Sequence, residues 1–143
     1  HLIKVACEAA TGKRESVAVF GTDYDTPDGT GVRDYIHVSD LANAHVLALG
    51  ALIEQPERSL TMNCGYGKGF SVLEVLDAVD RVTNATIERR MEPRRAGDPA
   101  ELVSDPGRIR ATLPWQPQHD DLSKIIEHAL QWERRLSEIR GSA

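Results

Sequence analysis

Arginine is the residue type that carries chemistry in this sequence. Arg33 follows the glycine-rich stretch Asp28-Gly29-Thr30-Gly31 and stands two residues before Tyr35. Arg94 and Arg95 lie in Pro93-Arg94-Arg95-Ala96-Gly97-Asp98-Pro99, a segment that its prolines and glycine keep irregular. A guanidinium projected from a loop suits phosphate oxygens, because its planar fork makes two parallel charge-assisted hydrogen bonds. Asp98, close by, suits the hydroxyls of a ribose or a sugar. The competing reading is a solvated charged stretch in which Arg89, Arg90, Arg94 and Arg95 pair with Glu88, Glu92 and Asp98. Residue chemistry alone leaves these two readings level.

Other chemistries find little support. Gly65-Tyr66-Gly67-Lys68-Gly69 imitates a dinucleotide-binding turn, but such a turn needs a third glycine three residues after the second, and Phe70 stands there. The segment reads as a sharp turn between strand and helix. The five histidines and two cysteines form no pair at metal-ligand spacing, so no metal is expected. There is no Gly-x-Ser-x-Gly elbow, and Tyr24, Tyr35 and Tyr66 are followed four residues later by Asp28, Ser39 and Phe70 rather than by lysine. The sequence contains neither a self-contained catalytic centre nor a cofactor site.

The elements that must position these residues follow from periodicity. Leu2, Ile3, Val5, Ala6, Ala9 and Ala10 fit a helical face stopped by Gly12. Val17 to Phe20 reads as a strand, residues 21–31 as a long loop, and Arg33 to Val38 as a second strand. Ser39-Asp40 offers a cap for a helix that ends at Gln55-Pro56. Leu60 to Cys64 suits a strand covered on both faces. Ser71-Val72-Leu73-Glu74 is a capping box, opening a helix with Val72, Val75, Leu76, Val79 and Val82 as its stripe. Ala85 to Arg90 reads as extended, Asp105-Pro106 as the start of a short helix, and Asp121 as the cap of a final amphipathic one. The pattern is mixed α/β, in one domain spanning residues 1–143.

The composition agrees. Of 143 residues, 17 are Lys or Arg and 22 Asp or Glu, a formal charge of −5, with 41% apolar and 27% charged. That is too apolar for disorder and too acidic to suggest nucleic-acid binding. No run approaches the roughly 20 apolar residues that span a bilayer. Two cysteines build no disulfide framework, so a cytoplasmic setting is expected. The abrupt apolar start at His1-Leu2-Ile3 suggests a portion of something longer.

The block Phe20-Gly21-Thr22-Asp23-Tyr24 through Asp28-Gly29-Thr30-Gly31-Val32-Arg33-Asp34-Tyr35-Ile36-His37-Val38 closely resembles the signature of the bacterial UDP-glucose 4-epimerase family, as do Asn63-Cys64-Gly65, Ser71-Val72-Leu73-Glu74 and Arg94-Arg95-Ala96-Gly97-Asp98. The likeness runs to about residue 135. These are extended short-chain dehydrogenase/reductases, and the resemblance implies a C-terminal substrate-binding lobe, with further elements that would complete the Rossmann sheet of an N-terminal half. That half, absent here, would supply the NAD-binding Rossmann unit and the catalytic Ser, Tyr and Lys. By resemblance Arg33 and Arg95 clamp the UDP diphosphate, Tyr35 lines the nucleotide site and Asp98 meets the ribose. Phe20 and Ala18 hold the uracil, and Leu2 contacts the nucleotide through its backbone. His1 stands where the family often has Asn. Leu102 falls at a residue gating the hexose pocket, intermediate between the Tyr of glucose/galactose enzymes and the smaller residues that admit N-acetylated sugars.

The resemblance implies inversion at C4 of a UDP-hexose through a 4-keto intermediate that turns over while UDP is held. The partners implied are a UDP-sugar and a second copy in a homodimer. The chain alone is expected to be inactive, and to self-associate or be poorly stable, because Leu60 to Cys64 and neighbouring helix faces lack their sheet. Related readings are an epimerase for UDP-N-acetylglucosamine, UDP-xylose or UDP-glucuronate, a stand-alone nucleotide-sugar-binding module, and an interaction domain.

Overall fold

The structure is a computed structural model that describes residues 1–141, without the side chains of 140 and 141. It is built from α1 (Leu2–Ala10), β1 (Val17–Phe20), β2 (Val32–Asp34), α2 (Val38–Glu54), β3 (Gly69–Ser71), α3 (Val72–Thr83), β4 (Arg89–Glu92), β5 (Glu101–Leu102), α4 (Gly107–Thr112) and α5 (Leu122–Gly141). The class is mixed α/β. Strands β1 and β4 pair in parallel, Val17 opposite Arg89. In a second sheet β2 is central, antiparallel to β3 and parallel to β5.

Alternation along β1 decides what each face does. Val17 and Val19 are buried against Ile3, Ala6, Cys7, Val75, Leu76, Val79 and Ile126, the main core between β1, α1, α3 and α5. Ala18 and Phe20, half-buried, point the other way because successive side chains of a strand alternate. A smaller core gathers Ala44, Ile109, Leu113 and Trp115 beneath α2.

Several elements differ in detail from the sequence expectation. The second strand stops at Asp34, and α2 starts at Val38 with His37, not Ser39, as its cap: His37 Nδ1 accepts the Ser39 N–H at 3.0 Å. Asp40 is instead drawn inward, accepting from Gln118 N at 3.0 Å, His119 N at 2.9 Å and Tyr66 Oη at 2.6 Å. Residues 60–64 form no strand, since a strand needs a hydrogen-bonded neighbour and none of the described residues offers one. The extended segment after α3 pairs only at Arg89–Glu92. The irregular stretch beyond it contains β5, held by its parallel register with β2. Helix α4 starts at Gly107, one residue late, with Asp105 Oδ1 accepting the Gly107 N–H at 2.9 Å. The Ser71–Glu74 capping box is formed as expected, and Asp121 Oδ1 accepts the Lys124 N–H at 2.8 Å at the start of α5.

Candidate functional site

Leu2, Ala18, Phe20, Arg33, Tyr35, Arg95 and Asp98, separated by up to 96 positions in sequence, line one cavity of about 490 Å³. That volume is of the size that takes a nucleotide-sized ligand. Strand β1 supplies Ala18 and Phe20, β2 leads Arg33 and Tyr35 into it, and the 93–99 loop brings Arg95 and Asp98 across the top. The long loop between β1 and β2 is fixed from within. Asp28 Oδ1 accepts from Thr30 N at 2.9 Å and Thr30 Oγ1 at 2.7 Å, and its other oxygen accepts from the Ser71 hydroxyl. Burial raises the Asp28 pKa, but these hydrogen bonds outweigh it and hold the carboxyl below its ordinary value.

Ion pairing sorts the arginines one by one. Arg89 is held by Asp77 at 2.8 Å and Asp80 at 2.6 Å, and Arg90 by Glu92 at 2.6 Å. Arg94 bonds Asp23 Oδ1 at 2.6 Å and lies over the Tyr24 ring at 4.2 Å, pinning the loop. Arg14, on the cavity rim, is paired with Glu8. Arg33 and Arg95 have no carboxylate partner among the described residues. Arg33 Nη1 donates to the Val32 carbonyl at 2.7 Å, and the Arg95 guanidinium lies 3.6 Å from the centre of the Phe20 ring. Of the pairs the solvated-stretch reading expects, only Arg90 with Glu92 forms; Arg89 and Arg94 are paired with acids from elsewhere in the chain, and Arg95 with none among the described residues. Two unneutralised guanidinium groups beside an aromatic face and one carboxylate make an anion site with a stacking platform. Tyr35 is desolvated, which pushes its pKa up to about 12 and keeps it a neutral hydroxyl.

Leu102 lies outside this group. It is 63% exposed on β5 and lines a second cavity of about 480 Å³ with Asp34, Met62, Asn63 and Cys64, bordered by the same Arg33. Sequence reasoning left His1 without a role and missed Arg14, Ser16, Tyr24 and Arg90, all at the first cavity. The arginines' positions flanking β1 and within β4 were the available signal.

The glycine-rich turn before α3 does not fit a dinucleotide. Asp34 fills it: Oδ1 accepts the Tyr66 N–H at 3.1 Å, and Oδ2 accepts the Gly67 N–H at 2.9 Å and the Ser104 hydroxyl at 2.6 Å. The amides a pyrophosphate would need already hold a carboxylate. At Gly65 a Cβ would overlap Asp34 and Ser104, so glycine here serves that close approach.

Residues 1–65 match the NAD dependent epimerase/dehydratase family. Over all 143 residues the chain is 54% identical to a UDP-glucose 4-epimerase of Azospirillum brasilense, covering 41% of that protein. Over its whole length the chain is similar to the UDP-glucose 4-epimerases. The UDP-Glc/GlcNAc 4-epimerase of Campylobacter jejuni superposes with a TM-score of 0.82 at 49% identity, over 94% of this chain and 40% of that one. The Stenotrophomonas maltophila UDP-glucose-4-epimerase with bound NAD and formylated UDP-arabinopyranose superposes with a TM-score of 0.90 at 42% identity, over 97% and 41%. The chain thus spans about two fifths of the length of the family members it matches.

Proposed function

We propose that this chain is the UDP-sugar-binding portion of an NAD-dependent UDP-glucose 4-epimerase, inactive by itself. The carrying observation is that Arg33 and Arg95, the cavity-lining guanidinium groups left without a carboxylate, share that cavity with Phe20 and Asp98. The diphosphate lies between Arg33 and Arg95, the uracil on Phe20 and Ala18, the ribose hydroxyls at Asp98, and Leu2 and Tyr35 close the nucleotide site. The bound UDP-arabinopyranose of the Stenotrophomonas relative supports a uridine nucleotide as the ligand class. NAD is held by residues outside these 143, in an N-terminal half, and the whole protein works as a homodimer. With the Asp34-filled turn unable to take a dinucleotide, no step of the reaction is assigned to this chain beyond holding the substrate.

That holding has a mechanistic use. Attraction concentrated on the diphosphate is remote from the sugar carbon that reacts, so the anchor stays fixed while the hexose is free to present either face. Leu102, exposed and outside the first cavity, gives no support to a gating role in sugar choice.

Calorimetric titration tests the reading. UDP is expected to bind more tightly than uridine, with the difference shrinking as salt screens the guanidinium groups. In the chain carrying Arg33→Ala and Arg95→Ala, the preference for UDP over uridine should disappear. Equal binding of UDP and uridine by the unaltered chain, or an undiminished preference in the double variant, would overturn the proposal.

A further inference from the structure

The histidines that show no ligand spacing in sequence are gathered by the fold. His37 at the start of α2, His119 in the segment after α4, and His128 on α5 place one ring nitrogen each within 4.8 Å of the others. His37 Nε2 and His128 Nδ1 are 2.9 Å apart, and the His37 and His119 rings stack with centroids 4.3 Å apart. None of the three lines the nucleotide cavity. Behind them sits the buried carboxylate of Asp40, whose Oδ1 lies 3.3 Å from His119 Nδ1 and whose Oδ2 accepts the His119 backbone N–H at 2.9 Å. A carboxylate behind one nitrogen of an imidazole fixes its tautomer and offers the other nitrogen to a metal.

We propose that His37, His119 and His128 form a site for one divalent transition-metal ion of the zinc type, with three imidazole nitrogens as ligands and a fourth position for water. Neutral imidazoles suit Zn²⁺, Co²⁺ and Ni²⁺, and three histidines with an open position are an established tetrahedral donor set. The ligand atoms are His37 Nε2, His128 Nδ1 and His119 Nε2. In the metal-free protein His37 Nδ1 accepts the Ser39 N–H, so the ring proton sits on Nε2, directed at His128 Nδ1. The ion takes the place of that proton. His37 changes from its Nε2–H to its Nδ1–H form, the Nε2 lone pair becomes a ligand, and the Ser39 N–H gives up its acceptor. No proton is lost from the protein in this exchange. The cost is the capping hydrogen bond and a turn of the His37 ring that parts its new Nδ1–H from the Ser39 N–H, and the gain is a bond from the start of α2 to both the 119 segment and α5. The site is a clasp on the C-terminal helix.

Co²⁺ is the direct probe, because an ion held by three imidazoles in near-tetrahedral geometry absorbs visible light far more strongly than the solvated ion. Titrated into the chelator-treated chain, Co²⁺ should give an intense visible band saturating at one ion per chain, and Zn²⁺ should bleach it. His119→Gln and His128→Gln should each weaken uptake by about 10-fold or more. His45→Gln, on an exposed part of α2, should leave it unchanged, and far-UV circular dichroism confirms that each variant is folded. A chain that takes up no stoichiometric Co²⁺ would overturn the proposal. So would uptake that persists at full strength in both the His119→Gln and His128→Gln variants.

Discussion

Arg95 shows how much one side chain decides. Its guanidinium rests on the ring of Phe20, the face proposed for the uracil base. Base and guanidinium compete for one aromatic surface, so nucleotide binding must lift Arg95 off Phe20 and free it for the diphosphate. Arg95→Ala is therefore expected to have opposite effects: UDP affinity falls about 10-fold or more, the scale of a lost charge-assisted contact, while uridine affinity holds or rises. Titration of both ligands reads the difference, and parallel losses would show that the stack is not a competitor. Gly21 is a second decisive position. It has φ of +82°, and a Cβ there would overlap the Tyr24 ring and the Arg94 side chain. Gly21→Ala should lower stability by about 1–3 kcal/mol, seen as a lower melting temperature, and should loosen the loop between β1 and β2.

At the scale of elements, α1 and α5 are clasped by charge. Glu133 on α5, 4% exposed, accepts from Lys4 and Lys13 at 2.8 Å each. Glu8 on α1 accepts from Lys4 and Arg14, whose hydrogen bonds pull its pKa from 4.5 down to about 2. Hydrogen bonds from Lys13 and then Lys4 likewise lower Glu133. A carboxylate with a depressed folded-state pKa stabilises the fold above its unfolded pKa, and that stability is lost as pH falls toward the folded value. Denaturant midpoints should accordingly hold near neutrality and fall between about pH 4.5 and pH 2. Glu133→Gln should flatten part of that decline and cost about 2 kcal/mol at pH 7, the scale of a hydrogen bond to a charged group. An unchanged pH profile in that variant would show that the clasp contributes little.

Across the whole molecule, the apolar surface is unevenly covered. Helix α2 buries Ala44 but exposes Val38 at 73%, Val46 at 67%, Leu49 at 59% and Ile53 at 73%. Residues 60–64, unpaired, lie beyond the end of α2. Contiguous exposed apolar side chains drive association. The chain by itself is expected to self-associate, with a sedimentation coefficient that rises with concentration, and Leu49→Lys with Ile53→Lys should reduce that rise. A monomer at all concentrations would show that this face is tolerated in water.

Much of this was legible in the residues themselves. The capping box at Ser71, the stop at Gly12, the alternation of Val17 to Phe20 and the cap at Asp121 are local devices, satisfied by neighbours within a turn or a strand, so spacing reveals them. The family block from Phe20 to Val38 was legible for the same reason, being one continuous run. What the tertiary structure alone decided was partnership at long range. Which arginine is neutralised depends on Asp23, Asp77, Asp80 and Glu92, whose approach is set by the packing of loops and strands. Whether Leu60 to Cys64 becomes a strand depends on a neighbour that backbone hydrogen bonding requires and local sequence cannot supply. Leu102 matched a position by resemblance, and the register of β5 on β2, which sets it opposite Arg33, places it at the second cavity and not the first. The three histidines show no ligand spacing because their proximity comes from the packing of α5 and the 119 segment against the start of α2. The sequence by itself determined the helices and the chemistry available; the packing determined which extended segments pair and which groups meet, because strand ladders, ion pairs and ligand sets act over a few ångströms between residues that the chain keeps far apart.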